Sequence, residues 1–318
     1  MVVSDDTIAV LEQVRRDANR NDEEIAERAG LNPAAVDRAR EEIHDQGLVD
    51  SYAAVVDPAA VGHQESSYHF IGAIDNYDET LRNGVPEFND WGGSQLAMVG
   101  FGNYDMIFRK VSRNEERLDR FAQNLITNPK YPSLRETSTY RINERYRWNG
   151  ANLEENRYGQ TNSGLDNDRR EVLSVLQANG RLRNRPGKVA ERADIATGEA
   201  AEIINELERD GVILGYTAFP DVESLGWYRG FLGLSNLENS YEGVVDNLLE
   251  LEPLYAPYII SGTGATWADI GIEFVCRSIE HLDEFTDRIR VGLDARESRT
   301  LLSPKVFQNE RTVNVDPS

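Results

Sequence analysis

Glu24-Ile-Ala-Glu-Arg-Ala-Gly-Leu-Asn-Pro-Ala-Ala-Val36 reads as a helix that stops at Gly30-Leu31 and restarts at Asn32-Pro33. Asparagine followed by proline is a cap and a first-turn residue, a strong helix-start signal. Upstream, Ile8, Val10, Leu11 and Val14 repeat at helical spacing; downstream, Val36, Ala39 and Ile43 form one inner face before Gly47 ends the run. Three short helices with a tight turn between the second and third predict a helix-turn-helix. Ala26-Glu27-Arg28 then returns as Ala190-Glu191-Arg192, 164 residues on. The same interval relates Gly47/Gly211, Tyr52/Tyr216, Gly62/Gly226, Gly100/Gly264, Asp105/Asp269, Leu118/Leu282 and Phe121/Phe285, and no gap is required from residue 25 to residue 121. A solenoid unit spans only about 20–50 residues, so this interval marks a duplicated two-part module.

After each helical unit the period changes from helical to alternating. In the first copy the sequence predicts a strand over 48–56, a strand over 68–74, a helix over 78–88, a hairpin of 95–99 with 105–111, a helix over 114–126 and a strand over 134–142. The second copy offers 231–237, 244–251, 258–261, 269–275, 279–289 and 301–307 in the same order. The expected fold class is α+β: two copies of a winged/helix-turn-helix domain, each followed by a ferredoxin-like βαββαβ (RAM-type) sandwich. The expected boundaries are 1–52 and 53–149 for copy one, a linker at 150–164 rich in Asn, Gly, Ser and Glu, and 165–216 and 217–318 for copy two.

Thirty-four basic residues face 55 acidic ones, a net charge of −21, and only Lys110, Lys130, Lys188 and Lys305 are lysines. An acidic, lysine-poor globular sequence fits the molar-salt cytosol of a halophilic archaeon, where the Debye length falls to about 3 Å and self-repulsion is screened. Net charge therefore does not exclude a nucleic-acid partner. Cys276 stands alone, which excludes an internal disulfide or a cysteine metal cluster. His44, His63, His69 and His281 have no metal-ligand spacing, so neither metal nor cofactor is expected. With no signal-like start and no apolar run of about 20 residues, the expected location is cytoplasmic and off the membrane.

The run 24–36 resembles the second helix, turn and recognition-helix start of the Lrp/AsnC (feast/famine) transcription regulators. Gly47-Leu-Val-Asp-Ser-Tyr-Ala-Ala-Val-Val-Asp-Pro58 is similar to that family's connector, and Gly100-Phe-Gly-Asn-Tyr-Asp105 to its central hairpin; Leu214-Gly-Tyr-Thr-Ala218, Gly264 and Asp269 carry the likeness into the second copy. The resemblance implies a tandem-duplicated, non-enzymatic regulator that binds double-stranded DNA and senses a small molecule such as an amino acid. It also implies an intramolecular pseudo-dimer, open to further homo-oligomerisation. On this basis Asn32, Ala34, Ala35, Arg38 and Arg40 are the candidate DNA contacts of the first recognition helix; ion pairing of the arginines with Asp37, Glu41 or Glu42 is the alternative. The second recognition helix is acidic, so Arg181, Arg183, Arg185 and Lys188 in the preceding turn are the candidate backbone contacts there. The implied effector contacts are Gly100, Gly102, Tyr104, Asp105, Gly264, Thr266 and Asp269, with backbone amides for a carboxylate and the aspartates for an ammonium group.

Two rivals share the architecture. One is a co-regulator that pairs with other family members without binding DNA. The other is a siroheme decarboxylase, a class whose resemblance implies a connector histidine and a Trp-Pro-Tyr segment. The connectors at 52–58 and 216–221 hold no histidine, His63 follows Gly62, and Trp-Pro-Tyr occurs nowhere in the chain.

Overall fold

The computed structural model describes residues 3–63, 65–72, 94–100, 104–127, 136–153, 165–237, 241–293, 295–303, 306–309 and 313. The chain is α+β, with two three-helix groups and two sheets among these residues. The helix expected at 78–88 lies outside them.

The first helical group is α1 (Asp5–Arg16), α2 (Asp22–Ala29) and α3 (Pro33–Asp45). Ser4, Asn21 and Asn32 each cap a helix by accepting from a backbone N–H in its first turn, and Gly30 supplies the left-handed residue that ends α2. Strand β1 (Val49–Val56) leads into β2 (Glu65–Gly72), β3 (Ser94–Val99), β4 (Met106–Ser112), α4 (Glu115–Thr127), β5 (Glu136–Trp148) and the short β6 (Ala151–Asn152). The second copy runs α5 (Asn167–Ala178), a 3-10 turn (Gly180–Asn184), α6 (Pro186–Ala193), α7 (Thr197–Arg209), β7 (Ile213–Pro220), β8 (Tyr228–Leu237) and α8 (Tyr241–Leu249). It continues with β9 (Tyr258–Thr263), β10 (Ile270–Cys276), α9 (Ile279–Leu293), β11 (Ala295–Ser303) and β12 (Val306–Asn309).

The connector strands β1 and β7 pair antiparallel with each other, and Ala53 faces Thr217 in their register. Those two residues stand 164 apart, so an axis of approximate two-fold symmetry passes between them. Each first helix packs on the other copy's connector: α1 on β7, α5 on β1. The second copy's helices bury Val172, Leu176, Ile204 and Leu207 with Ala54 and Val56 of the first; α1–α3 bury Leu11, Val14 and Val36 with Ala218 and Trp227 of the second. At Gly180 this interlock leaves no room for a methyl group, because an added Cβ would sit 2.7 Å from the Ala53 carbonyl carbon and 3.0 Å from its oxygen. Gly180→Ala is therefore expected to destabilise the chain by about 1–3 kcal/mol, measured as a lowered urea midpoint; an unchanged midpoint would mean that the turn and β1 do not touch.

The remaining strands form one continuous sheet in the order β11-β8-β10-β9-β5-β2-β4-β3-β12, with β6 on β5. Its halves fold face to face. Tyr68 and Phe70 on β2 lie 4.9 and 5.2 Å, ring centre to ring centre, from Phe231 on β8, although three strands separate β2 from β8 in the sheet. The inner layer is aromatic and aliphatic: Leu96, Met98, Ile107, Tyr140, Ile260 and Trp267 among others. The outer face of copy two packs under α8 and α9 through Leu232, Ile272, Phe274, Phe285 and Ile289.

Three expectations change. The strand expected to end at 142 runs to Trp148, because its second half leaves β2 and pairs with β9, and the strand expected at 301–307 is two strands, the second crossing to β3. These crossings join what the sequence presented as two separate sheets. The gapless repeat also fails at one place. Register places Tyr68 opposite Arg109 but Phe231 opposite Glu273, so β2 and β8 correspond at an interval of 163, one residue short of the interval between Arg109 and Glu273.

Candidate functional site

Beside the axis lies a cleft of about 410 Å³ whose lining includes Arg15, Arg16, Arg20 and Arg147. Arg15 and Arg16 come from the last turn of α1, where basic residues complement the helix dipole. Arg147 comes from the end of β5, just before the chain reverses through Asn149 (φ 49°) and Gly150 (φ 88°) into β6. A side chain at Gly150 would come within 3.2 Å of the Arg15 Nε, so the bare backbone there lets Arg15 lie across the turn. The far wall is Leu214–Thr217 of β7, and Leu249, Glu250 and Pro253 close the end. Among the described residues, four guanidiniums and one carboxylate, that of Glu250, line this cleft, which makes it cationic in a chain of net charge −21.

The four are committed to different degrees. Arg147 is buried and donates to the carbonyls of Leu251 (2.8 Å), Ala256 (3.0 Å) and Leu249 (2.6 Å) and to Asn152 Oδ1 (2.7 Å), so it holds the wall in place. Burial pushes its pKa down to about 10. Arg15 donates to the Ala218 carbonyl (3.0 Å) and the Thr217 hydroxyl (3.3 Å) and lies over the Phe219 ring. Arg16 forks onto Glu252. Arg20 hydrogen-bonds to the neutral Gln13 side-chain oxygen (2.6 Å) and, at 3.4 Å, to the Gln13 carbonyl. Burial and the neighbouring Arg28 lower its pKa. A half-buried guanidinium satisfied by neutral oxygens can take a carboxylate or phosphate without first breaking an ion pair.

One helical turn before Arg16, the Glu12 carboxyl is raised above the ordinary range by burial and by Glu252, against the opposing hydrogen bond from Tyr255. A raised carboxyl favours the protonated form in the fold. Its contribution to stability is complete below the unfolded value of about 4.3 and is lost as pH rises through the folded value. Glu12→Gln is accordingly expected to stabilise the chain at neutral pH and to make no difference at the acid end, read from thermal midpoints across pH; a loss at neutral pH would mean that the carboxylate is held, not opposed, by its surroundings.

Inside the folded sheet a second cluster sits on the axis. Arg109 donates to Glu273 (2.6 Å), and these two fully buried residues are again 164 apart. Tyr68 donates to the same carboxylate (2.9 Å), the Arg229 Nε lies 3.5 Å from its other oxygen, and the Arg109 guanidinium lies 3.8 Å from the Tyr258 ring centre and 5.4 Å from that of Trp148.

The candidate DNA contacts scatter. Asn32 is spent as the cap of α3, accepting from the Ala35 N–H. Ala35 is buried with Val36, Ala39 and Ile43, so the helix turns it inward, while Ala34 and Arg38 are exposed. Arg40 is ion-paired with Asp22 of α2, not with Asp37, Glu41 or Glu42. Arg183 forks onto Glu208 (3.0 and 3.0 Å), Arg181 stacks 3.4 Å from the Tyr52 ring centre, and Arg185 and Lys188 are exposed. The hairpin-turn residues do meet across the sheet: Tyr104 and Trp267 rings are 6.0 Å apart. Gly100 and Asp105 close their turn by backbone hydrogen bonding, and Gly264 adopts φ 99° where an added Cβ would sit 2.5 Å from the Thr139 carbonyl oxygen. Thr266 and Asp269 are exposed; Gly102 lies outside the described residues. None of these residues lines the cationic cleft. Arg15, Arg16 and Arg20 escaped sequence reasoning because they meet Arg147, from a distant stretch, only after folding. The one available signal was the close spacing of Arg15, Arg16 and Arg20 at and just beyond the end of α1.

No family model matches the chain. The HTH-type transcriptional regulator LrpA1 of Halobacterium salinarum is 34% identical over 83 residues, 26% of this chain, and the match spans 58% of that relative's length. At full length the chain is similar to the siroheme decarboxylase NirDL, with a TM-score of 0.59 and 13% identity over 98% of this chain and 95% of that one. The same protein in co-complex with an iron-uroporphyrin III analogue gives 0.58 over the same shares. This corrects the functional expectations. The identification as an Lrp/AsnC regulator, the DNA partner, the amino-acid effector and the non-enzymatic reading rested on segments. The whole-chain architecture is the one that this siroheme decarboxylase also has, and the arginines assigned to DNA are in part already paired. No helix of the described residues is long and apolar enough to cross a membrane.

Proposed function

We propose that this chain binds a polycarboxylated tetrapyrrole in the arginine cleft and removes carbon dioxide from one of its carboxylate side chains. Each three-helix group is in this reading a helix-turn-helix unit kept for packing, and each half of the sheet with its helices a ferredoxin-like sandwich, within the domain limits given above. The observation that carries the proposal is the convergence of Arg15, Arg16 and Arg20 on one cleft of ligand size, on a full-length fold shared with a siroheme decarboxylase. Guanidinium forks match carboxylates in pairs, and a tetrapyrrole edge presents several.

Decarboxylation breaks the bond between the carboxyl carbon and its neighbour, releases CO2, and requires one proton at the carbon left behind. Glu12, whose carboxyl is raised by burial and by Glu252 and which stands one turn before Arg16, is the group to which this reading gives that proton. No histidine lines the cleft, and the connector histidine and Trp-Pro-Tyr segment implied for the decarboxylase class are missing, so the proton donor differs from that pattern. The experiment is anaerobic incubation of the purified chain with iron-uroporphyrin III, followed by absorbance and mass spectrometry. A shifted Soret band with loss of CO2, slowed in Glu12→Gln with binding intact, supports the proposal. Binding without CO2 loss leaves a carrier; no spectral change at excess ligand ends the reading.

A further inference from the structure

Arg16 lines the arginine cleft but is already engaged there. Its Nε donates to both oxygens of the Glu252 carboxylate, at 2.9 and 3.2 Å, and its Nη2 donates to one of them. Glu252, in the segment between α8 and β9, also faces Glu12, which stands one turn before Arg16 on α1 and is half-buried. Burial and Glu252 oppose the ionised form of Glu12; Tyr255, which donates its hydroxyl, Arg277 just after β10, and Arg16 favour it. The Tyr255 ring packs in turn on His281 of α9, 4.8 Å between ring centres, and His281 accepts from the Arg277 backbone N–H at 3.2 Å. The equivalent helix of copy two, α5, is also 12 residues long from its cap at Asp166, and it carries Ser174 and Ala178 where α1 carries Glu12 and Arg16. Two carboxyls gathered about one arginine are therefore a property of the cleft-bearing copy and not of the packing that both helices share.

A guanidinium edge forks one carboxylate at a time. A ligand carboxylate that takes the Arg16 fork displaces Glu252, which then stands beside Glu12 without its counter-charge. A carboxyl facing an unpaired carboxylate holds its proton more tightly, and the attraction that Arg16 exerted on the ionised form is spent on the ligand. We propose that Glu252 couples ligand binding to proton uptake: occupation of the Arg16 fork by a ligand carboxylate loads one proton from solvent onto Glu12. This coupling rests on the tetrapyrrole reading of the cleft and supplies, at the moment of binding, the proton that loss of carbon dioxide consumes. The only bond formed is the O–H of the Glu12 carboxyl. Glu252 is a positioning residue in this scheme, since it acts on Glu12 through Arg16 and not on the ligand. By reciprocity, protonation of Glu12 tightens the hold on the ligand by the same factor.

Calorimetric titration of the full chain with iron-uroporphyrin III, in pairs of buffers that differ in ionisation enthalpy and at several pH values, counts the protons taken up per ligand bound. The ligand's own carboxylates also titrate, so the quantity read is the difference between the native chain and Glu12→Gln. At its largest, the native excess should be about half a proton per ligand. Glu252→Gln, which frees Arg16 in advance, should bind at least as tightly as the native chain and lose most of that excess, a pair of effects that a merely structural role for Glu252 does not produce. Should Glu252→Gln fail to fold, Arg16→Gln leaves Glu252 beside Glu12 before any ligand arrives and should lose the excess as well. Equal proton uptake by native chain and Glu12→Gln, with ligand bound in both, overturns the coupling and leaves the tetrapyrrole reading standing. An excess that survives intact in Glu252→Gln or in Arg16→Gln overturns the part given to Glu252. Absence of binding by the native chain at excess ligand overturns the reading and the coupling together.

Discussion

Glu273→Ala is expected to cost about 3–5 kcal/mol, the largest stability loss of any single change considered, because it strands three partners in the folded sheet. Arg109 at 2.6 Å and Tyr68 at 2.9 Å lose their acceptor, and Arg229 loses its counter-charge at 3.5 Å. Against a total stability of about 5–15 kcal/mol for a typical domain, that loss shifts a chemical-denaturation midpoint well outside error. Arg109→Ala should cost less: Glu273 keeps Tyr68 and Arg229, and what disappears is the cation over Tyr258 and Trp148. Glu273→Gln, which keeps an acceptor for Tyr68 but drops the charge, should fall between the two. A loss below about 1 kcal/mol for Glu273→Ala would show that the carboxylate is neutral or hydrated in the fold, and the ordering of the three variants distinguishes charge from hydrogen bonding.

The geometry explains why these two residues differ at all. Equivalent positions meet at a two-fold axis, so Arg109 and Glu273 face each other just as Ala53 and Thr217 do. Two identical halves would place arginine against arginine or carboxylate against carboxylate in a dry interior, where like charges repel most strongly. Duplication within one chain removes that constraint and lets the copies carry opposite charges.

The interval of 164 made the duplication legible, and the cap at Asn32 and the alternating strands could be read as well. The sheet crossings were not, since the second half of β5 carries Arg145 and Arg147 and looks like a charged tail until β9 is brought beside it. Motif likeness also weighed exposed arginines by their place in a helix-turn-helix. It could not register that Arg40 and Arg183 already hold carboxylates of neighbouring helices. Periodicity did mark Val36, Ala39 and Ile43 as core, yet Ala35 joined them, because an apolar stripe wider than three positions draws in the adjacent small residue. The cleft was invisible for a different reason: α1, β5 and β7 converge only after the copies interlock, and nothing in a linear spacing announces that.

Arg20→Glu is the change with the largest expected effect on ligand binding. Its guanidinium reaches the cleft from just beyond α1 and bonds to the neutral oxygens of Gln13, so reversal removes an attractive charge and adds a repulsive one without dismantling an internal ion pair. At about 5 Å and an effective dielectric constant near 20, each unit of charge is worth about 3 kcal/mol against a carboxylate. Solvent at this partly open site reduces that figure, and a weakening of about a hundredfold is the expected net result. Titration of the Soret band with iron-uroporphyrin III measures it, and the unfolding midpoint checks that the variant remains folded. Arg16→Glu should weaken binding less, because Arg16 is already engaged by Glu252, and its loss releases that carboxylate beside Glu12. Raising the salt concentration should narrow the gap between native chain and Arg20→Glu, since screening acts most on the exposed part of the interaction. Equal affinity of native chain and Arg20→Glu at low salt would remove the cleft as the carboxylate site, even if the tetrapyrrole binds elsewhere on the protein.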